Sequence, residues 1–231
     1  MDTFALEILK KHWGYDKFRP TQEPIITSIL QGNDTLAMLP TGGGKSICFQ
    51  VPALMKDGVC LVISPLISLM EDQVKNLTDR GISALALAGN IPFYELERLM
   101  SNVQSEAYKF LYMAPERLNN NEVATRLKAS PINYIVIDEA HCISHWGKDF
   151  RPAYLECKKL REWFPHIPII ALTATATERV QRDILENLQI PKASVIKGSL
   201  IRSNLAYMTY KIDNKWNRLE RILLKNKGSS I

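Results

Sequence analysis

Apolar residues recur along the chain in short continuous runs, and these runs alternate with longer segments of helical spacing. A short apolar run bounded by turn residues predicts a buried strand, and apolar spacing of three and four residues predicts a helix. The predicted strands cover 35–39, 59–63, 84–88, 110–113, 132–137, 167–172 and 194–196. The predicted helices between them cover 47–56, 66–80, 93–104, 121–128, 153–164 and 178–188, with a short helix from Pro115. This alternation predicts an α/β fold whose parallel sheet is covered by helices on both faces.

Two amphipathic helices are predicted before the first strand, the first over residues 3–13. Pro20 suits the first turn of the second helix, which carries Gln22 near its start and ends at Gly32. The Gln22 amide can donate and accept hydrogen bonds at once and so pair with the N6 and N7 atoms of adenine, while Tyr15 can stack on the base. A polar helix start beside a loop tyrosine is the alternative.

Composition limits the class of protein. The chain has 231 residues, and its 46% of hydrophobic residues can form a sizeable core. No apolar run approaches the roughly 18 residues of a membrane span, and the N-terminus lacks the pattern of a secretory signal. The four cysteines form no C-x-x-C pair, which indicates reduced thiols in a cytosolic protein rather than disulfides or a zinc site. A net charge of +5 permits a polyanionic partner without requiring one.

The segment P-T-G-G-G-K-S, residues 40–46, joins the first predicted strand to the next helix. Free backbone N–H groups and the positive end of a helix dipole converge at such a junction and form an anion site. Its glycines let the backbone wrap around phosphate oxygens, Lys45 can reach the β- and γ-phosphates, and the Ser46 hydroxyl can bind Mg²⁺. The usual G-x-x-x-x-G-K-[ST] pattern has glycine where this chain has Leu39, and a glycine-rich surface turn is the alternative.

Polar side chains follow two further predicted strands. The apolar run 134–137 ends in Asp138, which can hold Mg²⁺ through water, and Glu139, which can orient or deprotonate the attacking water. Another strand ends in T-A-T-A-T, residues 173–177, whose hydroxyl groups can contact the acidic pair and sense the γ-phosphate. A polar turn is the alternative for the acidic pair, and Thr177 can also cap the next helix. Because ligands of parallel sheets bind beyond the carboxyl ends of strands, we expect one shared site.

The aromatic loop, residues 141–154, directly follows the acidic pair and is rich in aromatic and basic groups. Trp146 and Phe150 offer stacking faces for bases, and Lys148 and Arg151 offer partners for phosphate. We therefore expect an element that senses both nucleic acid and nucleotide, with a small hydrophobic plug as the alternative. Two histidines of the loop lie four residues apart, but no further ligand is nearby, so a metal site is rejected.

Two other strand-to-helix junctions expose helix N-termini at the same edge of the predicted sheet. The sequence S-P-L-I-S-L-M-E-D-Q-V, residues 64–74, contains Ser68, and A-P-E-R-L, residues 114–118, contains Arg117. Exposed N–H groups and these side chains can contact nucleic-acid phosphates. Each junction alone is equally typical of an ordinary α/β protein, so neither is assigned a function by itself.

Taken in order, the motifs resemble the first motor lobe of a RecQ-type DNA helicase, across nearly the whole chain. D-E-A-H alone also occurs in many RNA helicases, whereas the aromatic sequence S-H-W-G-x-D-F-R-P is specific to the RecQ family. The motifs are Tyr15, Arg19 and Gln22, P-T-G-G-G-K-S (40–46), S-P-L-I-S-L-M-x-D-Q-V (64–74), A-P-E-R-L (114–118), D-E-A-H-C (138–142), S-H-W-G-x-D-F-R-P-x-Y (144–154) and T-A-T-A-T (173–177).

The resemblance implies a superfamily 2 motor with a RecA-like parallel β-sheet of the P-loop NTPase class. It implies an enzyme that couples ATP hydrolysis, with Mg²⁺, to 3′-to-5′ movement on single-stranded DNA and unwinds duplexes in repair and recombination. The expected organisation is N-terminal helices with the adenine motif over 1–30, motor domain 1 over 31–205, and a linker with the start of a truncated motor domain 2 over 206–231.

The last of these boundaries also rests on the sequence pattern. After Gly198 the alternation of strands and helices gives way to an alternating segment, 204–210, and a basic amphipathic helix over 215–227. The chain ends at Ile231 directly after Gly-Ser-Ser, and we expect it to be a fragment of a longer protein.

The resemblance also implies roles for individual residues. The expected catalytic residues are Lys45, Asp138, Glu139 and His141, and the expected Mg²⁺ ligands are Ser46 and Asp138. The expected nucleotide contacts are Tyr15, Arg19, Gln22, Thr41, Gly42, Gly43, Gly44, Lys45 and Ser46. The expected DNA-binding or coupling residues are Ser68, Arg117, Trp146, Phe150, Arg151, Thr173 and Thr175.

The sequence departs from the family at two places. The family often has F-N-R-P-N-L-x-Y between its lobes; residues 200–207 lack the Phe and Pro but keep Arg202, Asn204, Leu205 and Tyr207. Residues 88–90 differ from the usual L-N-S, so no DNA contact is assigned there.

The family's further domains would carry functions that this sequence lacks. A second lobe would supply an arginine finger, which contributes about 10³ to 10⁵ in rate in related nucleotidases. Zinc would bind only in a C-terminal part of the parent. The chain alone is expected to bind nucleotide weakly, to hydrolyse it very slowly and to unwind nothing.

Two other functions are open on the sequence. An ATP-gated DNA-binding module would not need Glu139, and the aromatic loop argues against an RNA helicase of the D-E-A-H kind. The expected partners are single-stranded and duplex DNA, ATP, and repair proteins such as single-stranded-DNA-binding protein, with no membrane. The expected location is the cytoplasm, at the nucleoid if the source is bacterial.

Overall fold

The computed structural model describes residues 2–199, 205, 206, 208–226 and 228. Residues 1–200 form one compact unit, and residues 201–231 form another. The α-helices are α1 Thr3–Trp13, α2 Gln22–Leu30, α3 Lys45–Leu54, α4 Ile67–Thr78, α5 Phe93–Gln104, α6 Asn121–Lys128, α7 Lys158–Trp163, α8 Glu178–Asn187 and α9 Lys215–Lys225. The strands are β1 Thr35–Met38, β2 Val59–Ile63, β3 Ala84–Leu87, β4 Phe110–Met113, β5 Ile132–Ile137, β6 Ile169–Thr173 and β7 Ser194–Lys197. Short 3-10 helices cover Pro115–Asn119, Ala140–Ile143 and Pro152–Cys157.

The described strands form one all-parallel sheet in the order β3-β4-β2-β5-β6-β1-β7. This order confirms the predicted α/β fold. Met38 at the end of β1 lies opposite Thr173 at the end of β6, and β5 pairs with β6 on its other side. The phosphate loop, the T-A-T-A-T segment and the acidic pair therefore leave three neighbouring strands at one edge of the sheet.

Both faces of the sheet are buried, which explains why the strands are continuous apolar runs. Along β5, Ile135 and Ile137 belong to one core cluster, and Tyr134 and Val136 belong to the other. The first cluster includes side chains of α5, α6, α7 and α8, and the second includes side chains of α1, α2, α3 and α4. Buried clusters on both faces fix the strand ends rigidly beneath the candidate site.

The predicted helix over 153–164 is wrong in its first half, where the chain forms the 3-10 helix Pro152–Cys157 before α7. Side chains three residues apart align in a 3-10 helix. Tyr154 and Cys157 are both fully buried, and this tighter turn brings them to the same face of the segment. Leu160 continues that buried face in α7.

The C-terminal unit contains α9, whose first turn is capped by the Asn214 side chain, which accepts a hydrogen bond from the Asn217 N–H. The family-like positions Arg202, Asn204 and Tyr207 lie outside the described residues, as does Ile231. Within the described part of the chain, no helix combines the length and apolar character needed to cross a membrane.

Candidate active site

The phosphate loop is a tight turn between β1 and α3. Gly42 and Gly44 have φ angles of 77° and 79°, in the left-handed region that favours glycine. The Gly43 N–H donates to the Pro40 carbonyl oxygen at 2.8 Å, and a Cβ on Gly43 would lie 2.7 Å from that oxygen. No larger residue fits this turn without moving the backbone. The loop therefore delivers Lys45 and its neighbours at the very start of α3, as predicted for an anion site.

The Gln22 side chain supports the phosphate loop by hydrogen bonding to its backbone. Its side chain is buried, its Oε1 accepts from the Arg19 N–H at 2.8 Å, and its Nε2 donates to the Gly44 carbonyl at 3.1 Å. The Arg19 Nη1 donates to the Gly42 carbonyl at 2.5 Å. Gln22 at the start of α2 and Arg19 just before it thus hold two loop carbonyls in place, a role that the sequence did not indicate. Recognition of adenine by Gln22, and stacking on the exposed Tyr15, stay predictions.

The acidic pair begins at the end of β5. The Asp138 N–H donates to the Ile63 carbonyl at 2.9 Å, and the Tyr154 hydroxyl donates to the Asp138 carbonyl at 2.9 Å. Glu139 has a φ of 47°, which is uncommon for a residue with a Cβ and stores backbone strain. Its N–H donates to Asp138 Oδ1 at 2.9 Å. The backbone therefore turns sharply after the strand and directs the two carboxylates to different partners.

Glu139 lies at the centre of a polar network that joins three strand ends. Lys45 Nζ is 2.8 Å from Glu139 Oε1, and His141 Nδ1 is 3.2 Å from Glu139 Oε2. His141 Nδ1 also lies 2.9 Å from the hydroxyl of the fully buried Thr173, which donates to the Thr175 carbonyl at 3.1 Å. The structure thus brings together the predicted residues of the phosphate loop, the D-E-A-H segment and the T-A-T-A-T segment.

The surroundings of the two carboxylates shift their pKa values in opposite directions. Burial, together with the charge of Glu139, raises the pKa of Asp138 to about 6. The hydrogen bond with His141, together with Lys45, lowers the pKa of Glu139 to about 2. Contacts with Cys142 and Glu139 raise the pKa of His141 to about 9. At neutral pH Glu139 is therefore an anion paired with two cations, while Asp138 is the more basic carboxylate.

The aromatic loop is only partly packed. Trp146 is 61% exposed, and the Arg179 guanidinium lies 3.5 Å from the centre of its ring. Phe150 stacks on His145, with ring centres 3.8 Å apart. The exposure of Trp146 contradicts the alternative of a plug formed by Trp146 and Phe150. Arg151 Nη1 donates to the Pro65 carbonyl at 2.7 Å and so ties the loop to the junction after β2.

The two remaining predicted DNA contacts lie on strand-to-helix junctions at the same edge. Ser68 is exposed in the first turn of α4. Arg117 donates from Nε to the Leu87 carbonyl at 2.8 Å and from Nη2 to the Gly89 carbonyl at 2.6 Å. Burial lowers the pKa of Arg117. Arg117 therefore fastens the segment after β3, where no DNA contact was assigned, to the junction after β4.

The residues at the loop and the acidic pair fit a magnesium–nucleotide. The loop has no room for a side chain at Gly44, since a Cβ there would lie 2.4 Å from the Gln22 Nε2. Hydroxyl and carboxylate oxygens are the ligands that Mg²⁺ prefers, and Ser46 and Asp138 supply one of each. Lys45 supplies the cation for phosphate. The donor set is the one that phosphoryl-transfer sites use.

Comparison with known proteins gives the same picture. The family model "DEAD/DEAH box helicase" matches residues 19–184. The chain is 42% identical, over 98% of its length and 36% of the relative, to "ATP-dependent DNA helicase RecQ" of Pasteurella multocida. It is 44% identical, over 94% of its length and 44% of the relative, to "Probable ATP-dependent DNA helicase RecS" of Bacillus subtilis. The chain thus spans less than half of either relative.

Solved structures show the same fold. The crystal structure of the DUF1998 helicase MrfA matches with a TM-score of 0.71 and 19% identity. The match covers 98% of this chain and 37% of that chain. At this identity the likeness concerns the fold alone.

Proposed function

We propose a function from one premise, which is that the chain belongs to the DEAD/DEAH box helicase family. Identities of 42% and 44% to RecQ-type relatives support an ATP-dependent DNA helicase of that type. In this proposal residues 31–205 act as the ATP-binding first motor lobe, residues 1–30 supply the adenine motif, and residues 206–231 lead into a second lobe. Unwinding, 3′-to-5′ movement and a role in repair and recombination are proposed for the whole protein, since the chain spans 36 to 44% of these relatives.

The observation that carries the proposal is the contact between Lys45 and Glu139 at 2.8 Å. This contact joins the phosphate loop, which follows β1, to a carboxylate that follows β5, with only β6 between these two strands. A nucleotide held by the loop would have its terminal phosphate beside that carboxylate. This supports hydrolysis of ATP rather than simple binding, because a binding module does not need a carboxylate there.

In the proposed reaction, Lys45 binds the β- and γ-phosphates and neutralises charge in the transition state. Glu139 accepts a hydrogen bond from the attacking water. A carboxylate with a pKa of about 2 is a weak proton acceptor, so orientation of the water is its main contribution. Mg²⁺, held by Ser46 and Asp138, would supply charge neutralisation when bound. His141 holds the Glu139 side chain in place and also contacts Thr173, so that a shift of Glu139 would be transmitted to Thr173.

Coupling to DNA is proposed to run through the aromatic loop, because it begins two residues after Glu139. Trp146 offers an exposed ring for a nucleobase. Arg151 connects the loop to the junction at Pro65, close to the predicted phosphate contact of Ser68. Contacts of single-stranded DNA with both elements would move the loop and, through it, His141 and Glu139.

Partners and location belong to the same proposal. Single-stranded and duplex DNA would be the substrates, and single-stranded-DNA-binding protein a partner in repair. A cytoplasmic location, at the nucleoid in a bacterium, would give access to both. Zinc would bind only in further domains of a longer parent.

The test is ATP hydrolysis with and without an oligo(dT) strand, measured for this chain and for the longest natural chain that contains it. We expect DNA to stimulate hydrolysis strongly in the longer chain and weakly or not at all in the shorter one. Glu139→Gln should reduce the stimulated rate by about 10²- to 10⁴-fold. Trp146→Ala should preserve ATP binding and remove most of the stimulation.

Three outcomes would contradict the proposal or a part of it. Hydrolysis that ignores DNA in the longer chain would favour a nucleotide-binding module. Equal or stronger stimulation by a matched oligo(U) strand would favour an RNA helicase. Robust unwinding by the 231-residue chain alone would contradict the need for a second lobe.

A further inference from the structure

Helix α8 contacts the aromatic loop at two points. The Arg179 guanidinium lies 3.5 Å from the centre of the Trp146 ring. One helical turn later, Asp183 accepts a hydrogen bond from the Ser144 hydroxyl. The Ser144 oxygen in turn accepts from the Trp146 N–H at 3.1 Å. One helix therefore holds both the ring and the backbone of Trp146.

The same helix begins directly after the T-A-T-A-T segment. Thr177 caps α8 by accepting a hydrogen bond from the Val180 N–H. At the other end of the segment, the Thr173 hydroxyl contacts His141 at 2.9 Å, and His141 contacts Glu139. The contacts thus form a continuous path from Glu139 through His141, the T-A-T-A-T segment and α8 to the aromatic loop. The path closes on itself because His141 is the first residue of that loop.

We propose that Arg179 and Asp183 are positioning residues, which hold Trp146 ready to stack on a base of single-stranded DNA and transmit its displacement to His141. This inference rests on the proposed function and adds to it the element that receives the signal. Neither residue was a candidate in the sequence, where a charged residue on a helix normally means a solvated face.

The exposure of Trp146 indicates whether Arg179 supports the Trp146 ring for stacking or blocks the face on which a DNA base would stack. The guanidinium covers one face of the ring, while 61% of the residue is still exposed. A nucleobase needs one free face for stacking. Holding the ring in one orientation also removes an entropy cost from DNA binding. The geometry therefore favours a support for Trp146 over a competitor of the DNA base.

Movement of Trp146 would reach His141 because the loop is tightly folded there. Gly147 follows Trp146, and a Cβ on Gly147 would lie only 2.1 Å from the His141 carbonyl oxygen. The Gly147 N–H donates to the Ser144 carbonyl at 2.9 Å. A displaced Trp146 therefore shifts backbone that lies directly against His141.

The first experiment needs no DNA and measures how accessible Trp146 is to acrylamide by fluorescence quenching. Trp146→Phe identifies its share of the signal. We expect Arg179→Ala to raise the quenching constant of that share clearly, with Arg179→Lys between the two. Arg182→Ala is the matched control, since it removes the same charge from an exposed position of the same helix. Equal quenching in Arg179→Ala and wild type would overturn the positioning role.

The second experiment measures the oligo(dT) concentration that gives half-maximal stimulation of ATP hydrolysis, in the longest natural chain that contains these residues. A cation–π contact at a partly exposed site corresponds to about a two- to fivefold effect. We expect Arg179→Ala to raise that concentration by this factor relative to Arg182→Ala. In a Trp146→Ala background, where binding of a fluorescent oligo(dT) strand replaces stimulation as the readout, Arg179→Ala and Arg182→Ala should bind DNA equally. Asp183→Asn should act in the same direction as Arg179→Ala.

The outcomes are distinguishable. A lower half-maximal concentration in Arg179→Ala would show that Arg179 blocks the DNA site, and an effect that persists without Trp146 would show a direct phosphate contact. Either result overturns the inference and leaves the proposed function intact. If wild-type hydrolysis ignores DNA, the proposed function fails, and the quenching experiment still decides whether Arg179 positions Trp146.

Discussion

Lys45 and Glu139 are 94 positions apart in the sequence, yet Nζ and Oε1 are 2.8 Å apart in the structure. Both side chains are more than two-thirds buried, with exposures of 17% and 26%. Glu139 can face Lys45 because its backbone adopts a left-handed conformation two residues after the end of β5. The strained backbone conformation of Glu139 thus allows the phosphate loop and the acidic pair to contact each other.

Lys45→Ala is expected to weaken ATP binding by roughly 10- to 100-fold, the loss that corresponds to one or two hydrogen bonds with a charged group. Glu139 would keep His141 as a partner, so the fold should survive. Isothermal titration with a non-hydrolysable ATP analogue measures the change. Lys158→Ala, at an exposed position of α7, is the charge-matched control. Unchanged affinity in Lys45→Ala would mean that the glycine loop does not bind the phosphates.

His141→Asn is expected to lower stability in a pH-dependent way. The pKa of His141 in the folded protein, about 9, lies above its ordinary value of 6.5, so the protonated ring stabilises the fold. That contribution is complete below about pH 6.5 and is lost as the pH rises through about 9. The pKa of Glu139 is lowered from 4.5 to about 2, so its contribution is present above about pH 4.5 and is lost as the pH falls toward 2.

The stability difference between wild type and His141→Asn should therefore be largest between about pH 4.5 and 6.5 and should shrink toward pH 9. We expect roughly 1 to 3 kcal/mol at its maximum, from one hydrogen-bonded charge pair. Urea unfolding at a series of pH values, without nucleotide, measures it. In a Glu139→Gln background the effect of His141→Asn should be smaller. A difference that does not vary with pH would contradict the ion pair.

Gln22→Ala is expected to destabilise the phosphate loop even without nucleotide. The substitution removes two partly buried hydrogen bonds, to the Gly44 carbonyl and from the Arg19 N–H, each of which contributes roughly 0.5 to 1.5 kcal/mol. Hydrogen exchange at residues 42–46 should speed up, and the urea midpoint should fall. Thr27→Ala, at an exposed position of the same helix, is the control. If only ATP affinity changes, Gln22 acts on adenine alone and does not support the loop.

Residues that act through strand ends could be predicted from the sequence, whereas residues that act through packing between segments could not. Lys45, Asp138 and Glu139 each follow a recognisable apolar run, and parallel strands place such ends together. Arg179 gave no such signal, because its partner Trp146 lies 33 positions away in a loop whose path no periodicity encodes. The contact became visible only once α8 and the loop were folded against each other.

The same distinction explains one contact that the sequence did not indicate and one local error. The sequence did not indicate that the Gln22 amide supports the phosphate loop, because its contacts with Arg19 and Gly44 depend on how separate segments fold together, whereas adenine recognition by Gln22 stays a prediction. The apolar spacing over 153–164 suggested one helix, although side chains three apart suit a 3-10 helix equally well. Periodicity cannot separate these geometries over a single turn.

Tyr154→Phe is expected to weaken the positioning of the acidic pair, because it removes a hydrogen bond to the Asp138 backbone. The Tyr154 hydroxyl is buried and donates to the Asp138 carbonyl at 2.9 Å, and the removal of one such bond costs roughly 0.5 to 1.5 kcal/mol. The ring itself keeps its packing, so the substitution isolates the hydroxyl. Tyr15→Phe is the control, because it removes the same group from an exposed ring.

The measurement for Tyr154→Phe combines urea unfolding with ATP hydrolysis. Because the lost bond fixes the backbone between Asp138 and the strained Glu139, we expect a modest loss of stability and a larger fall in kcat than in ATP affinity. The same loss in Tyr15→Phe would indicate a general effect of hydroxyl removal. A lower stability with unchanged kcat would mean that Tyr154 only packs the core and does not position the acidic pair.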